Sequence, residues 1–162
     1  MAENNRAVVQ LREKFAASIL EFKEFRGQVT VTVARDKIVE ICRFLRDSLH
    51  YNLCTDVTAV DYQGKLADRF MMVYNLYSIP NKDRLLVRAP VPEADCTIDT
   101  VSCLWNAANW LEREVYDLMG IRFNNHPDLR RILMTDDWVG HPLRKDYPVQ
   151  GPDREPYKGR LS

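Results

Sequence analysis

The segment LEREVYDLMGIRFNNHPDLRRIL, residues 111–133, carries four acids, four arginines and a histidine among aliphatic residues. Glu112, Glu114, Asp117 and His126 could exchange protons or ligate a cation, as a stand-alone acid/base or metal hydrolase would require. Their spacing argues against both. No histidine lies three or four residues from a glutamate on the same helical stretch, the placement that di-metal bundles and zinc proteases use. Cys42, Cys54, Cys96 and Cys103 form no Cys-x-x-Cys pair and have no histidine at finger spacing, so they read as reduced thiols buried like small hydrophobes. The chain shows no Gly-x-Ser-x-Gly turn and no glycine-rich phosphate loop, and it has only six glycines. His50, at the end of a helical pattern, reads as a C-terminal cap.

A helix over residues 99–119 must position these groups, with Asp99 or Thr100 as its cap and Gly120 as a left-handed stop. Asn106 is where such a helix would break in two. At about 100° per residue, Val101, Leu104, Trp105, Ala108, Leu111, Val115, Leu118 and Met119 make one apolar stripe facing the sheet. Glu112 falls inside that stripe, toward one edge. A carboxylate there needs a partner, because an isolated buried charge is costly; Arg122, Arg130, Arg131 and His126 are the nearby candidates. On the opposite side, Cys103, Ala107, Trp110, Glu114 and Asp117 form a second stripe. Either the segment after Gly120 folds over that stripe or another protein covers it, and the enrichment of aromatics and arginine at interface centres favours the protein. All three tryptophans, Trp105, Trp110 and Trp138, lie within 34 residues.

The rest of the chain supplies the platform. Val8, Leu11, Phe15, Ile19 and Phe22 predict an amphipathic helix over residues 5–22, ending before Gly27. QVTVTV alternates as a half-buried strand. Asp36 is placed to cap a helix whose stripe is Ile38, Ile41, Leu45 and Leu49. LCTDVTAVDY, RFMMVYNLYSI and RLLVRAPV then form a meander of antiparallel neighbours. The order predicts an α+β domain over residues 1–140: a mixed, largely antiparallel sheet with helices on one face. Residues 141–162 predict an extended arm, since four of the eight prolines fall there. With 162 residues, 46% hydrophobic residues and a net charge of zero, the chain fits one globular domain and lacks the basic excess of a nucleic-acid binder. No apolar run approaches the roughly 20 residues of a membrane span, and MAENNRAVVQLREKF lacks a signal-peptide core, so any membrane link is expected to run through a partner.

The run ERE-x-x-DLM, followed by His126 and by Arg130-Arg131-Ile132-Leu133, resembles the signature of the C chain of respiratory complex I, the NADH-quinone oxidoreductase. Glu112, Arg113, Glu114, Asp117, His126 and Arg130 match its fixed positions. The resemblance extends through DVTAVDY, RFMMVYNLYSI, RLLVRAPVPEAD, LWNAANW and DDWVGHPLRKDYP, roughly residues 50–150. Asn106 departs from it, where relatives commonly carry proline. The resemblance implies a peripheral-arm subunit with no catalytic residue, flavin or iron-sulfur cluster of its own, while NADH, FMN, the clusters and the quinone belong to other subunits. It implies packing on the large, D-type quinone-site subunit and near the B-type terminal-cluster subunit, on the cytoplasmic side of the cell inner membrane. Arg131 joins the signature residues as an expected ion-pair partner. Trp110, Trp138, His141, Arg144, Lys145, Tyr147, Arg154 and Tyr157 are the expected interface. A related membrane-bound hydrogenase, or a quinone-reducing complex with another donor, would use an equivalent chain.

Overall fold

A computed structural model describes residues 5–150. Helix α1 (Arg6–Phe15) is capped by Asn5, whose Oδ1 accepts from the Ala7 N–H at 2.9 Å, and it buries Ala7, Val8, Leu11 and Phe15. The expected helix over residues 5–22 stops there. After one 3₁₀ turn the chain enters strand β1 (Ile19–Phe25), which returns antiparallel as β2 (Gln28–Val33). Ile19 and Phe22 keep helical spacing by coincidence, and Arg26 and Gly27, at φ 52 and 78, form the two-residue turn that suits a right-twisted hairpin. Gly27 therefore closes a hairpin rather than a helix.

Another 3₁₀ turn (Arg35–Lys37) leads into α2 (Ile38–Leu49), whose buried residues include the anticipated stripe. Asp36 does not cap it; Lys37 holds the N-cap position and makes no side-chain cap bond. His50 closes α2 in the left-handed conformation, at φ 62. Strands β3 (Leu53–Asp61), β4 (Phe70–Ser78) and β5 (Asp83–Val91) form the meander, and the sheet order is β1-β2-β5-β4-β3. Only the β2–β5 pairing is parallel within this sheet. The result is the α+β architecture expected, with its mixed, mostly antiparallel sheet.

Alternation aims Cys54, Val57, Ala59 and Asp61 of β3 inward, in line with Phe70, Met72, Tyr74 and Leu76 of β4 and Leu85, Val87, Ala89 and Val91 of β5. The helices contribute Leu11, Ile41, Leu45 and Val115 to the same core. A short strand β6 (Thr97–Asp99) precedes α3 (Asn106–Met119), and β7 (Arg122–Asn124) pairs parallel with β6. The expected helix start at residues 99–100 is therefore six or seven residues early. Ile98, Val101, Leu104 and Trp105 are all buried, but in a strand and a turn, and Trp105 is extended (φ −135) at the N-cap. Asn106, the expected break, is the first residue of the helix.

Candidate functional site

Three turns of α3 place Ala108, Glu112 and Val115 inward, and α3 packs along β3. Glu112 is wholly buried. Its Oε1 accepts from the Val101 N–H at 2.7 Å, and its Oε2 accepts from the Thr100 hydroxyl. His126 Nε2 stands 3.8 Å from Oε2, and both side chains are inaccessible to solvent. None of the three arginines expected as partners ion-pairs with it among the described residues. Burial without a cation pushes the carboxyl up to about 7, although the Thr100 and Val101 bonds oppose the rise. The ring of His126 accepts the Asp128 N–H on Nδ1 at 3.1 Å and donates from Nε2 to the Asn109 carbonyl at 3.2 Å, the pattern of a neutral imidazole. Burial holds it below the usual histidine range. Cys42, Cys54 and Tyr74 lie close enough for Glu112 to oppose their ionisation; burial is the larger cause, and the Cys54 thiol is pushed up to about 12.

Helical spacing assigns Asp117 to an outer stripe, yet the structure buries it completely. Residues 131–134 fold back across it. Its Oδ2 accepts from the N–H groups of Ile132, Leu133 and Met134 at 3.0, 2.7 and 2.8 Å, and its Oδ1 accepts from Arg131 Nη1 at 2.7 Å. Burial pushes this carboxyl up, but four donors outweigh it and leave Asp117 below the ordinary carboxylate value. The following residues satisfy the carbonyls that the helix end leaves open. His141 Nδ1 donates to the Asp117 carbonyl at 2.9 Å, the Leu143 N–H to Leu118 at 3.0 Å, and Arg144 Nε to Met119 at 2.6 Å. Gly120 ends the helix at φ 73, and a Cβ there would fall 2.5 Å from the His141 ring. Two residues expected at a partner interface, His141 and Arg144, thus serve the chain's own helix.

A second charged cluster has no counterpart in the sequence reading. Arg69 is buried between three carboxylates: Asp61 at 2.8 Å, Glu93 at 2.5 Å and Asp146 at 2.7 Å. Asp61 also accepts the N–H groups of Gln63 and Lys145, both at 2.9 Å. Hydrogen bonding to Arg69 is the main cause that brings Asp61 down to about 2. The alternation that aims Val57 and Ala59 inward aims Asp61 inward too, which was the available signal.

The outer surface is different. Trp110 is 60% exposed, with the Arg113 guanidinium 5.1 Å above its ring. Arg113 also donates to the carbonyls of Arg130 and Arg131 at 3.1 and 3.2 Å, tying helix to loop. Glu114 is exposed, and exposed Arg130 makes a paired contact with Asp128. An open groove of about 590 Å³ runs beside Trp110, lined by Ser102, Asn106, Asn109, Arg113 and Asn125. Leu133, Val139 and Leu143 are also exposed. Trp138 is half-buried, the Lys145 side chain is exposed, and the Tyr147 hydroxyl donates to the Val139 carbonyl at 3.3 Å. Arg154 and Tyr157 lie outside the described residues. Among the described residues, no helix is long and apolar enough to cross a membrane, and no cluster of three or more metal-binding side chains occurs.

Comparison with known sequences converges on one group. The family model described as the respiratory-chain NADH dehydrogenase, 30 Kd subunit, matches residues 31–153. The chain is 82% identical to the NADH-quinone oxidoreductase C chain of Geobacter sulfurreducens over 162 residues, all of both chains. It is 43% identical to the corresponding C chain of a Roseiflexus species over 152 residues, 92% of this chain and 87% of that one. Among solved structures it is similar to a trypsin-resistant fragment of Nqo5, with TM-score 0.69, 35% identity, and coverage of 76% of this chain and 99% of that one. It is also similar to a chain of the membrane-bound sulfane sulfur reductase, an archaeal respiratory membrane complex, with TM-score 0.76 and 26% identity over 91% of this chain and 86% of that one. With the family model spanning most of its length, the chain belongs to the 30 kDa subunit family of the respiratory-chain NADH dehydrogenase, the family of the NADH-quinone oxidoreductase C chains.

Proposed function

We propose that this chain is a non-catalytic structural subunit of the peripheral arm of a proton-translocating NADH-quinone oxidoreductase. It docks on the large quinone-site subunit and beside the terminal-cluster subunit, on the cytoplasmic side of the inner membrane. The observation that carries this reading is how the charges of residues 112–131 are used. Glu112 and His126 are shut away from any substrate, and Asp117 is consumed by Arg131 and three backbone N–H groups. Trp110 meanwhile stays 60% exposed under Arg113, the pairing of an aromatic and an arginine that dominates interface energetics. Electron transfer needs cofactors at fixed separations, so a chain that suppresses movement supports turnover without touching substrate.

The test replaces the chromosomal copy with a Trp110→Ala, Leu133→Ser double variant and measures both the amount of assembled complex in membranes and quinone reduction per assembled complex. Assembly falls and turnover per complex holds. Normal assembly with lost turnover would place chemistry in this chain and overturn the reading. Truncation after Tyr147 is expected to leave the isolated fold nearly intact and to weaken assembly. The likeness to the sulfane sulfur reductase chain favours, as a second reading, an equivalent role in a complex using another donor. Identification of the co-purifying donor-binding subunit separates the two.

A further inference from the structure

Residues 141–147 connect two stretches of the chain that are far apart in sequence. At one end, His141, Leu143 and Arg144 bond the carbonyls of Asp117, Leu118 and Met119 at the end of α3. At the other, the Lys145 N–H reaches Asp61 at 2.9 Å, and Asp146 accepts from Arg69 Nη2 at 2.7 Å and Nη1 at 3.1 Å. A single residue, Lys145, separates Arg144 from Asp146, so each anchor sets the register of the other. The guanidinia of Arg69 and Arg144 both lie over the Phe70 ring, at 5.0 and 5.1 Å.

We propose that residues 141–147 form a strap that this chain folds onto itself before any partner binds, clamped by Arg69, so that the segment left for a partner begins after Tyr147. The charge arithmetic makes Arg69 the clamp. Asp61, Glu93 and Asp146 meet on one guanidinium, and without it three carboxylates face one another. Like charges at such distances repel, and the carboxylates that can reach solvent move outward. Asp61 is held by two backbone N–H groups, whereas Glu93 and Asp146, at 61% and 47% exposure, can both turn outward, and of these two only Asp146 sits on the strap. Loss of Arg69 therefore removes the bonds that hold Asp146 as well as Glu93, and with the Asp146 anchor gone the adjoining caps on α3 loosen. This strap does not depend on which complex the chain joins.

Hydrogen exchange on the full chain tests it through the amides of Leu143 and Lys145, each bonded across the strap. Both are protected in the parent. Arg69→Met speeds their exchange by roughly tenfold or more, the scale set by losing charge-assisted bonds, and Asp146→Asn speeds it less. Amides of β4 report whether the domain itself survives. Should Arg69→Met unfold the sheet as well, Asp146→Asn decides, since the replaced side chain is half exposed: faster strap exchange with β4 protected supports the strap. Unprotected Leu143 and Lys145 in the parent, or exchange unchanged in Asp146→Asn, overturns it.

Discussion

Glu112 and Asp117 are two wholly buried carboxyls on one helix that the molecule treats in opposite ways. Asp117 receives an arginine and three successive backbone N–H groups, and remains ionised. Glu112 receives one hydroxyl and one N–H, with a neutral imidazole 3.8 Å away that donates elsewhere, and holds its proton to about 7. Equal burial thus leads to different charge states, and the supply of donors decides which. The Asp117 site is an anion nest that organises the segment after the helix. The Glu112 site is a joint between α3 and the turn after β6, built with hydrogen bonds rather than charge.

The largest effect tests the nest. Asp117→Ala strands three backbone donors and the Arg131 guanidinium, and is expected to cost roughly 3–5 kcal/mol in a denaturant titration of the isolated chain. A loss below about 1 kcal/mol would mean that water replaces the carboxylate easily. The two sites also predict opposite responses to pH. A carboxyl raised to about 7 when folded contributes stability that is fully present below its ordinary value and lost as pH climbs through about 7. For Glu112 that loss is on the order of 3 kcal/mol. Asp117, held low, contributes stability above its ordinary value that disappears only in acid. Thermal melts of the Glu112→Gln variant should therefore vary less between about pH 5.5 and 8.5 than those of the parent, and match or exceed it at the upper end. Parallel curves would break the contrast. The smallest effect lies on the outer face of the same helix. Trp110→Ala should shift stability by no more than about 0.5 kcal/mol, because most of the indole already meets solvent. A larger drop in the denaturant midpoint would show that the ring supports the fold.

Several of these features were visible in the chain itself. The three meander strands declared themselves by alternation, α2 by its stripe, and the end of α3 by Gly120. Glu112 stood out as a carboxylate on an apolar face, although its neighbours proved to be Thr100 and Val101 instead of arginine. Elsewhere apolar spacing points to the wrong element, for identifiable reasons. Ile19 and Phe22 suit a helix by spacing, but the left-handed Arg26-Gly27 turn commits them to a hairpin. Val101, Leu104 and Trp105 continue the stripe of α3 while lying in the turn before it. In both places apolar spacing records only that a residue is buried, and a helix, a strand and a turn can bury the same set.

What the sequence determined by itself was the local grammar: which stretches alternate, which are striped, where glycine permits a reversal, and which charged residues fall on buried faces. These follow from backbone periodicity and side-chain type, which need no distant neighbour. Only the tertiary structure decided that Asp117 is inside and Trp110 outside, although both belong to one helical stripe, because the covering residues 131–134 return from beyond the helix. It likewise gathered Asp61, Arg69, Glu93 and Asp146, which span 86 positions of the chain. A carboxylate's partner is set by which backbone folds across it, and that is a property of the packed chain rather than of any segment.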